Sequence, residues 1–326
     1  MDAMLPVLPP PPLAYVCYQA VTPPSMDGTL NDPAWQRVPW TADFVDIEGD
    51  RKPKPKFRTR AKMIWDKTYL YVAAELQEPH IWATLTQRDS VIFHDNDFEL
   101  FLDPDDDGQY YAEFEMNALN TVWDLLLPHP YIAGGPAIDG FDLHGLRTAV
   151  HVNGAINDPT HPSESWTVNI AIPWTAINQI GRCPMPPNDG DQWRINFSRV
   201  EWEIDTTGGK ITKKPGPEHN WVWSPQWIID MHRPEMWGVL QFSTSDQTNV
   251  PAKPLDGWSD RYNLFQIWNA EMKYRTTHPR FTESVADLGL TVEGVAIQAT
   301  THQFEAKLGN YWIDTNRKLW KGTGSQ

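Results

Sequence analysis

Short runs that alternate apolar and polar residues, separated by turn signals, occupy most of this sequence and constrain its fold more than any other feature. Phe98, Leu100 and Leu102 alternate with Asp97, Glu99 and Phe101. Tyr110, Ala112, Phe114 and Met116 share one face of the next run, and Tyr111, Glu113, Glu115 and Asn117 share the other. Trp166, Val168, Ile170 and Ile172 repeat the pattern, as do Trp193, Ile195 and Phe197 with Arg194, Asn196 and Ser198 opposite. A period of two places successive side chains on opposite faces of an extended strand, so each run reads as a strand with one buried face. The runs 61–65 and 69–74, joined by Asp66-Lys67-Thr68, read as a hairpin. Helical signals are scarce before residue 243; Pro173 to Ile177 is the place for one short helix. Many short strands at regular spacing predict a mainly β fold, an antiparallel β-sandwich over residues 15–243. The irregular stretches 127–147 and 203–234 are too long for ordinary connectors, and such loops tend to carry function.

The flanks differ. Residues 1–14 are rich in proline and contain neither Lys nor Arg, which predicts an extended lead-in rather than a secretory leader. The chain is then either not exported or has lost its leader, and in the second case works outside the cell or in the periplasm. Residues 244–258 are polar and proline-containing and read as a linker. After it, Leu264, Ile267 and Trp268 keep helical spacing, a second short piece follows at 281–290, and strand-like runs lie at 291–299 and 302–307. Residues 259–326 are therefore a small α+β appendage.

Charge excludes some functions. With 27 Lys+Arg against 42 Asp+Glu, the net charge of −15 disfavours both nucleic acid and anionic membrane surfaces as partners. The two cysteines, Cys17 and Cys183, cannot build a disulfide framework, and one bridge or two free thiols are both open. No HExxH, GxSxG, GxGxxG or P-loop pattern occurs. The 17 tryptophans stand out in 326 residues. Most suit a β core, and some could form flat platforms for the C–H faces of sugar rings.

Three constellations could carry chemistry. Asp103, Asp105 and Asp107, followed by Gly108, place oxygen ligands at alternate positions before a sharp turn, which suits calcium. A complete EF-hand is excluded because its twelfth position is Phe114, and an acidic turn without an ion is the alternative. On the polar strand faces, Asp97, Glu99, Glu113, Glu115 and Asn117, with Arg194, Asn196 and Arg199, are the groups that pair with sugar hydroxyls. Two carboxylates among Glu99, Glu113, Glu115 and Asp124 could instead hydrolyse a glycosidic bond. Finally, Trp221, Trp223 and Trp227 crowd one proline-punctuated loop, where at least one is expected to be exposed and one to be buried.

Seven segments occur in order: 26–35, 64–72, 96–104, 110–117, 166–174, 193–199 and 237–242. Together they resemble the family 9 carbohydrate-binding modules over residues 15–243. The resemblance implies a β-sandwich that binds oligo- or polysaccharides, bound calcium, and association with glycoside hydrolases in polysaccharide degradation. It also implies a site in which two tryptophans sandwich a terminal sugar beside a Glu and an Arg. Carried over by position, the Glu is Glu99, the Arg position holds Glu115, and the tryptophan positions hold Phe93 and Met231. The expected carbohydrate-binding residues are thus Phe93, Glu99, Glu115, Asn117, Arg199, Trp221, Trp223, Trp227 and Met231. The expected metal ligands are Asp103, Asp105 and Asp107. Non-catalytic glycan binding is the leading reading. Alternatives are a glycoside hydrolase, a haem-binding relative with Met231 or a histidine as axial ligand, and a partner-binding protein. Residues 274–289 resemble the end of the helix and the following loop of type IV pilin-like domains.

Overall fold

The computed structural model of the chain describes residues 8–322. The strands of the sandwich are β1 (Ala14–Gln19), β2 (Thr59–Trp65), β3 (Tyr69–Gln77), β4 (Asp97–Asp103), β5 (Tyr111–Asn117) and β6 (Val122–Leu127). They continue with β7 (Arg147–Asn153), β8 (Ser165–Pro173), β9 (Gln192–Glu201), β10 (His219–Val222) and β11 (Gly238–Ser243). One curled sheet runs in the order β6-β5-β4-β9-β11-β1-β2-β3-β8-β7, and β10 adds to the far end of β9. Strand β1 lies parallel to both β11 and β2 and stitches the two halves together; the other pairings are antiparallel. The sheet folds over on itself, so its two halves face each other as the expected sandwich.

The alternation read in the sequence decides which face is inside. Phe98, Leu100 and Leu102 of β4 and Phe114 and Met116 of β5 meet Val72, Val168, Ile170 and Ile172 from the opposite half in one core. Fully burying each such side chain stabilises the fold by about 1.5–3 kcal/mol. Eleven of the seventeen tryptophans are buried, so core packing accounts for most of them. Trp65, Trp174, Trp193 and Phe242 pack edge to face, with centroids 4.7 Å apart for Trp193 and Phe242. Gly238 shows how tight this is: a Cβ there would lie 2.2 Å from the Trp223 ring.

Two details differ from the sequence reading. Tyr110 does not join the inner face of β5; its backbone is left-handed (φ 47°) and its ring is half-exposed, because the acidic turn ends one residue later than the alternation suggests. Arg199 has the parity of Phe197 rather than of Ser198, so it lies on the inner side at the end of β9. There its guanidinium donates to Glu78, Glu201 and the Gln77 carbonyl and stacks over Trp221 at 5.1 Å. Cys17 and Cys183 are free thiols.

The appendage consists of helix α1 (Trp258–Arg275) and a four-stranded antiparallel sheet in sequence order: β12 (Ala296–Ala299), β13 (Phe304–Leu308), β14 (Tyr311–Asp314) and β15 (Leu319–Lys321). The last two strands go beyond the sequence reading, and 281–290 forms turns rather than helix. Helix α1 buries residues on two sides. Leu264, Phe265, Ile267 and Trp268 pack on the small sheet, while Trp258 and Tyr262 pack with Met236 of the sandwich. The segment between is laid along the sandwich, where the Lys253 amide donates to Gln241 and the Val250 amide donates to the Tyr18 hydroxyl. Arg317, fully buried, pairs with Glu235 at 2.5 Å, and Arg233 pairs with the same carboxylate. Burial alone would raise the Glu235 pKa, but Arg317 and Arg233 hold it down at about 2. The appendage is thus clamped to the sandwich.

Candidate functional site

The outward faces of β4 and β5 carry an unusual cross-strand register. Glu99 lies directly opposite Glu115, Phe101 opposite Glu113, and Asp97 opposite Asn117. Like charges directly opposite each other destabilise a strand pair unless water or a counter-charge intervenes. Water is largely removed, because the segment 218–237 folds back across this face. Trp237 anchors that segment by donating its indole N–H to the Met231 carbonyl at 2.7 Å, and the His232 Nδ1 bonds the Tyr111 hydroxyl at 2.9 Å. Asp97 is left 0% exposed, Glu99 and Glu113 5%, and Glu115 2%.

Between strand face and covering segment opens a cavity of about 380 Å³. Its floor carries Glu99, Glu113 and Glu115, and its walls include Phe93, Trp123 and Tyr131, with Met231 and His232 behind. Phe93 and Trp123 are half-buried, and Tyr131 is 50% exposed at the mouth. Trp123 is held by its indole N–H donating to Asp139 at 2.7 Å, and the Phe93 amide donates to Glu115 at 2.9 Å. Burial, and then the neighbouring carboxylates, pushes Asp97, Glu113 and Glu115 well above the usual carboxylate range; Glu99 is raised to about 7. Burial also pushes His232 down to about 3, so it is neutral and lends the floor no positive charge. The cavity therefore offers apolar ring faces on its sides and hydrogen-bonding oxygens beneath.

Four of the sequence-expected residues, Phe93, Glu99, Glu115 and Met231, come together in this cavity. The others lie elsewhere. Asn117 is fully buried and donates to the Leu85 carbonyl and Asp95, fixing the segment that leads to Phe93. Arg199 holds the far end of β9, as described above. Trp221 and Trp223 belong to the sandwich core. Trp227 sits in a left-handed backbone conformation at the joint with the appendage, its ring between Gly49 and the Arg51 guanidinium and packed with Met236, Trp258 and Tyr262. Trp123 and Tyr131 were missed by sequence reasoning. Trp123 is the strand partner of Glu115, a signal that appears only once the register is known. Tyr131 sits in the long 127–147 stretch, which was flagged without any residue in it being named.

In the β4–β5 turn, carboxylate oxygens of Asp103, Asp105 and Asp107 lie within 4.8 Å of one another. Asp103 is fully buried and accepts the Asp106 and Gly108 amides, while burial and the adjacent carboxylates push its pKa up. One Asp105 oxygen is buried without a hydrogen-bond partner. Lys318 from the appendage reaches Asp107 at 3.1 Å, and Arg261 pairs with Asp106. An all-oxygen donor set of this spacing fits a hard cation such as calcium. A larger cavity, about 600 Å³, opens beside this turn, lined by Asp105, Gln109, Tyr110 and His129. It lacks the buried carboxylate floor and the multiple ring walls of the smaller one.

Residues 26–186 match the family model described as carbohydrate family 9 binding domain-like. Endo-1,4-beta-xylanase C of Paenibacillus barcinonensis is 32% identical over 102 residues, a match spanning 28% of this chain and 8% of that enzyme. Among solved structures, a candidate carbohydrate-binding protein from Bacteroides uniformis superposes with a TM-score of 0.52 at 17% identity, over 71% of this chain and 100% of that one. At that identity the likeness concerns the fold alone. A family 9 carbohydrate-binding module from Caldicellulosiruptor kristjanssonii, in complex with cellotriose, aligns with a TM-score of 0.46 at 16% identity, over 74% and 100% of the two chains.

Proposed function

We infer, from the match of residues 26–186 to the carbohydrate family 9 binding domain-like model, that this chain binds an oligo- or polysaccharide in the cavity above Glu99 and Glu115. One observation carries the reading: the partly exposed Phe93, Trp123 and Tyr131 rings surround buried carboxylates that, among the described residues, have no Lys or Arg partner. A sugar presents an apolar C–H face to such rings, and its hydroxyls donate to the oxygens beneath. The cavity volume suits one or two sugar units rather than a long chain.

Binding fits the geometry better than hydrolysis. Glycosidase carboxylates stand about 5–5.5 Å apart in retaining enzymes and about 6.5–9.5 Å apart in inverting ones. Glu99 and Glu115 are direct cross-strand partners on the floor, so both approach a bound sugar from the same side instead of flanking a glycosidic bond. The chain's role is then to hold substrate for polysaccharide-degrading enzymes, glycoside hydrolases among them. Calcium on Asp103, Asp105 and Asp107 would brace the β4–β5 turn, and with it the strands that carry the floor.

Isothermal titration against fragments of β-glucan, xylan, mannan and pectin tests the reading. Saturable heat with at least one fragment is expected, weakened by Trp123→Ala and untouched by Trp227→Ala. No heat with any fragment would overturn it.

A further inference from the structure

Glu99, Glu113 and Glu115 line the cavity floor with Asp97 buried beside them, and among the described residues no Lys or Arg pairs with any of the four. Oxygens of Asp97, Glu99 and Glu115 all lie within 4.8 Å of one another. Among the described residues none of these three forms an ion pair with a Lys or Arg. What partners they have are uncharged: the Val200 amide donates to one Asp97 oxygen at 3.1 Å, the Phe93 amide to one Glu115 oxygen at 2.9 Å, and the Ser198 hydroxyl sits against Glu99. The second Asp97 oxygen is buried and bonded to nothing. A second observation lies outside this trio. Glu113, also more than nine-tenths buried and lining the same cavity, has a buried Oε2 with no hydrogen-bond partner. The His232 Nε2, 3.9 Å from it, belongs to a neutral ring.

Burying unpaired carboxylates is expensive, and it is tolerated where they are paired or coordinate a metal. We propose that Asp97, Glu99 and Glu115 hold a calcium-class divalent cation on the cavity floor, with Glu113 beside it. Three oxygens within 4.8 Å of one another lie no more than about 2.8 Å from a common centre, so a shift of a few tenths of an ångström brings them into the calcium range of about 2.3–2.6 Å. Magnesium, at about 2.0–2.1 Å and near-octahedral, would demand a tighter cluster. This site is separate from the β4–β5 turn, whose ligands would be Asp103, Asp105 and Asp107. Three protein oxygens leave calcium, which takes six to eight, with open positions toward the cavity. Sugar hydroxyls fill them. The ion itself stands independently of glycan binding; its contact with hydroxyls rests on that reading.

The test uses the full chain, stripped with EDTA, returned to chelator-free buffer at neutral pH and titrated with calcium chloride. With the turn disabled by Asp105→Asn and Asp107→Asn together, one calcium-binding event is expected to remain. Adding Glu99→Gln or Glu115→Gln weakens it by at least about tenfold, the loss typical even of groups that only orient metal ligands. Absence of calcium binding in the turn-disabled chain, or binding that both Gln variants leave unchanged, would overturn the site. Glycan retention is expected to fall in EDTA and return with calcium. Retention that ignores EDTA would overturn the metal's role while leaving glycan binding intact. Calcium binding without glycan retention would leave the ion and overturn the glycan reading.

Discussion

Tyr131 offers the cleanest perturbation of the cavity because it contributes to the mouth without contributing to the core. An aromatic side chain has about 150–250 Å² to bury, and half of Tyr131 is exposed. A sugar stacked on it would cover up to roughly 100 Å², or about 2.5 kcal/mol at 25 cal/mol per Å². One ring face alone gives about half that, so Tyr131→Ala should lower affinity by about 1–2 kcal/mol, roughly five- to thirtyfold in Kd. The ring contact of Tyr131 with His232, centroids 4.4 Å apart, is lost as well, but that contact is at the surface and Tm should move by only a few degrees. Tyr131→Phe keeps the face and should bind within about twofold of the parent. Titration calorimetry with the best-binding fragment, beside a thermal melt, measures both quantities. Unchanged Kd in Tyr131→Ala with an unchanged melt would refute the assignment of the ligand to this mouth.

Other consequences follow from the same geometry. Trp227→Ala should leave glycan affinity alone and lower stability by about 2–4 kcal/mol, because its ring packs at the joint with Met236, Trp258 and Tyr262; an affinity loss with an unchanged melt would reverse that assignment. The Glu235 pKa of about 2 lies below the unfolded carboxylate value of about 4.3, so its ion pairs contribute stability above pH ~4.3 that is lost as pH falls toward 2. Denaturation of the parent and Glu235→Gln should therefore differ by about 3 kcal/mol near pH 6 and converge near pH 2; a pH-independent difference would exclude the clamp. EDTA should lower Tm if calcium occupies Asp103, Asp105 and Asp107, and Asp103→Asn should abolish that part of the shift. A melt indifferent to EDTA would retire the turn as a metal site.

The sandwich was legible because its strands alternate cleanly: Phe98, Leu100 and Leu102 reach the core, and Glu99 points the other way. The appendage was legible as α+β, although its last two strands, Tyr311–Asp314 and Leu319–Lys321, are too short to show a period. The site was only half legible. Parity placed Glu99 and Glu115 correctly, and positional resemblance added Phe93 and Met231. Composition misdirected the search for rings: a cluster of tryptophans at 221–227 looks like a platform, yet two fill the core and the third fills an inter-element joint. The rings that line the cavity are isolated in sequence, and pairing register and loop path alone bring them to Glu115. The same holds for Arg199, where a shift of one residue in parity moves a charged side chain to the opposite face.

The most direct test of glycan binding above Glu99 and Glu115 is calorimetric titration of the full chain, with calcium present, against the polysaccharide fragments, repeated on Trp123→Ala. The account predicts saturable one-site heat with at least one fragment, and a Kd raised about tenfold or more by the substitution at a temperature where a melt shows the variant folded. Silence across the panel, or binding that Trp123→Ala leaves untouched, would contradict it.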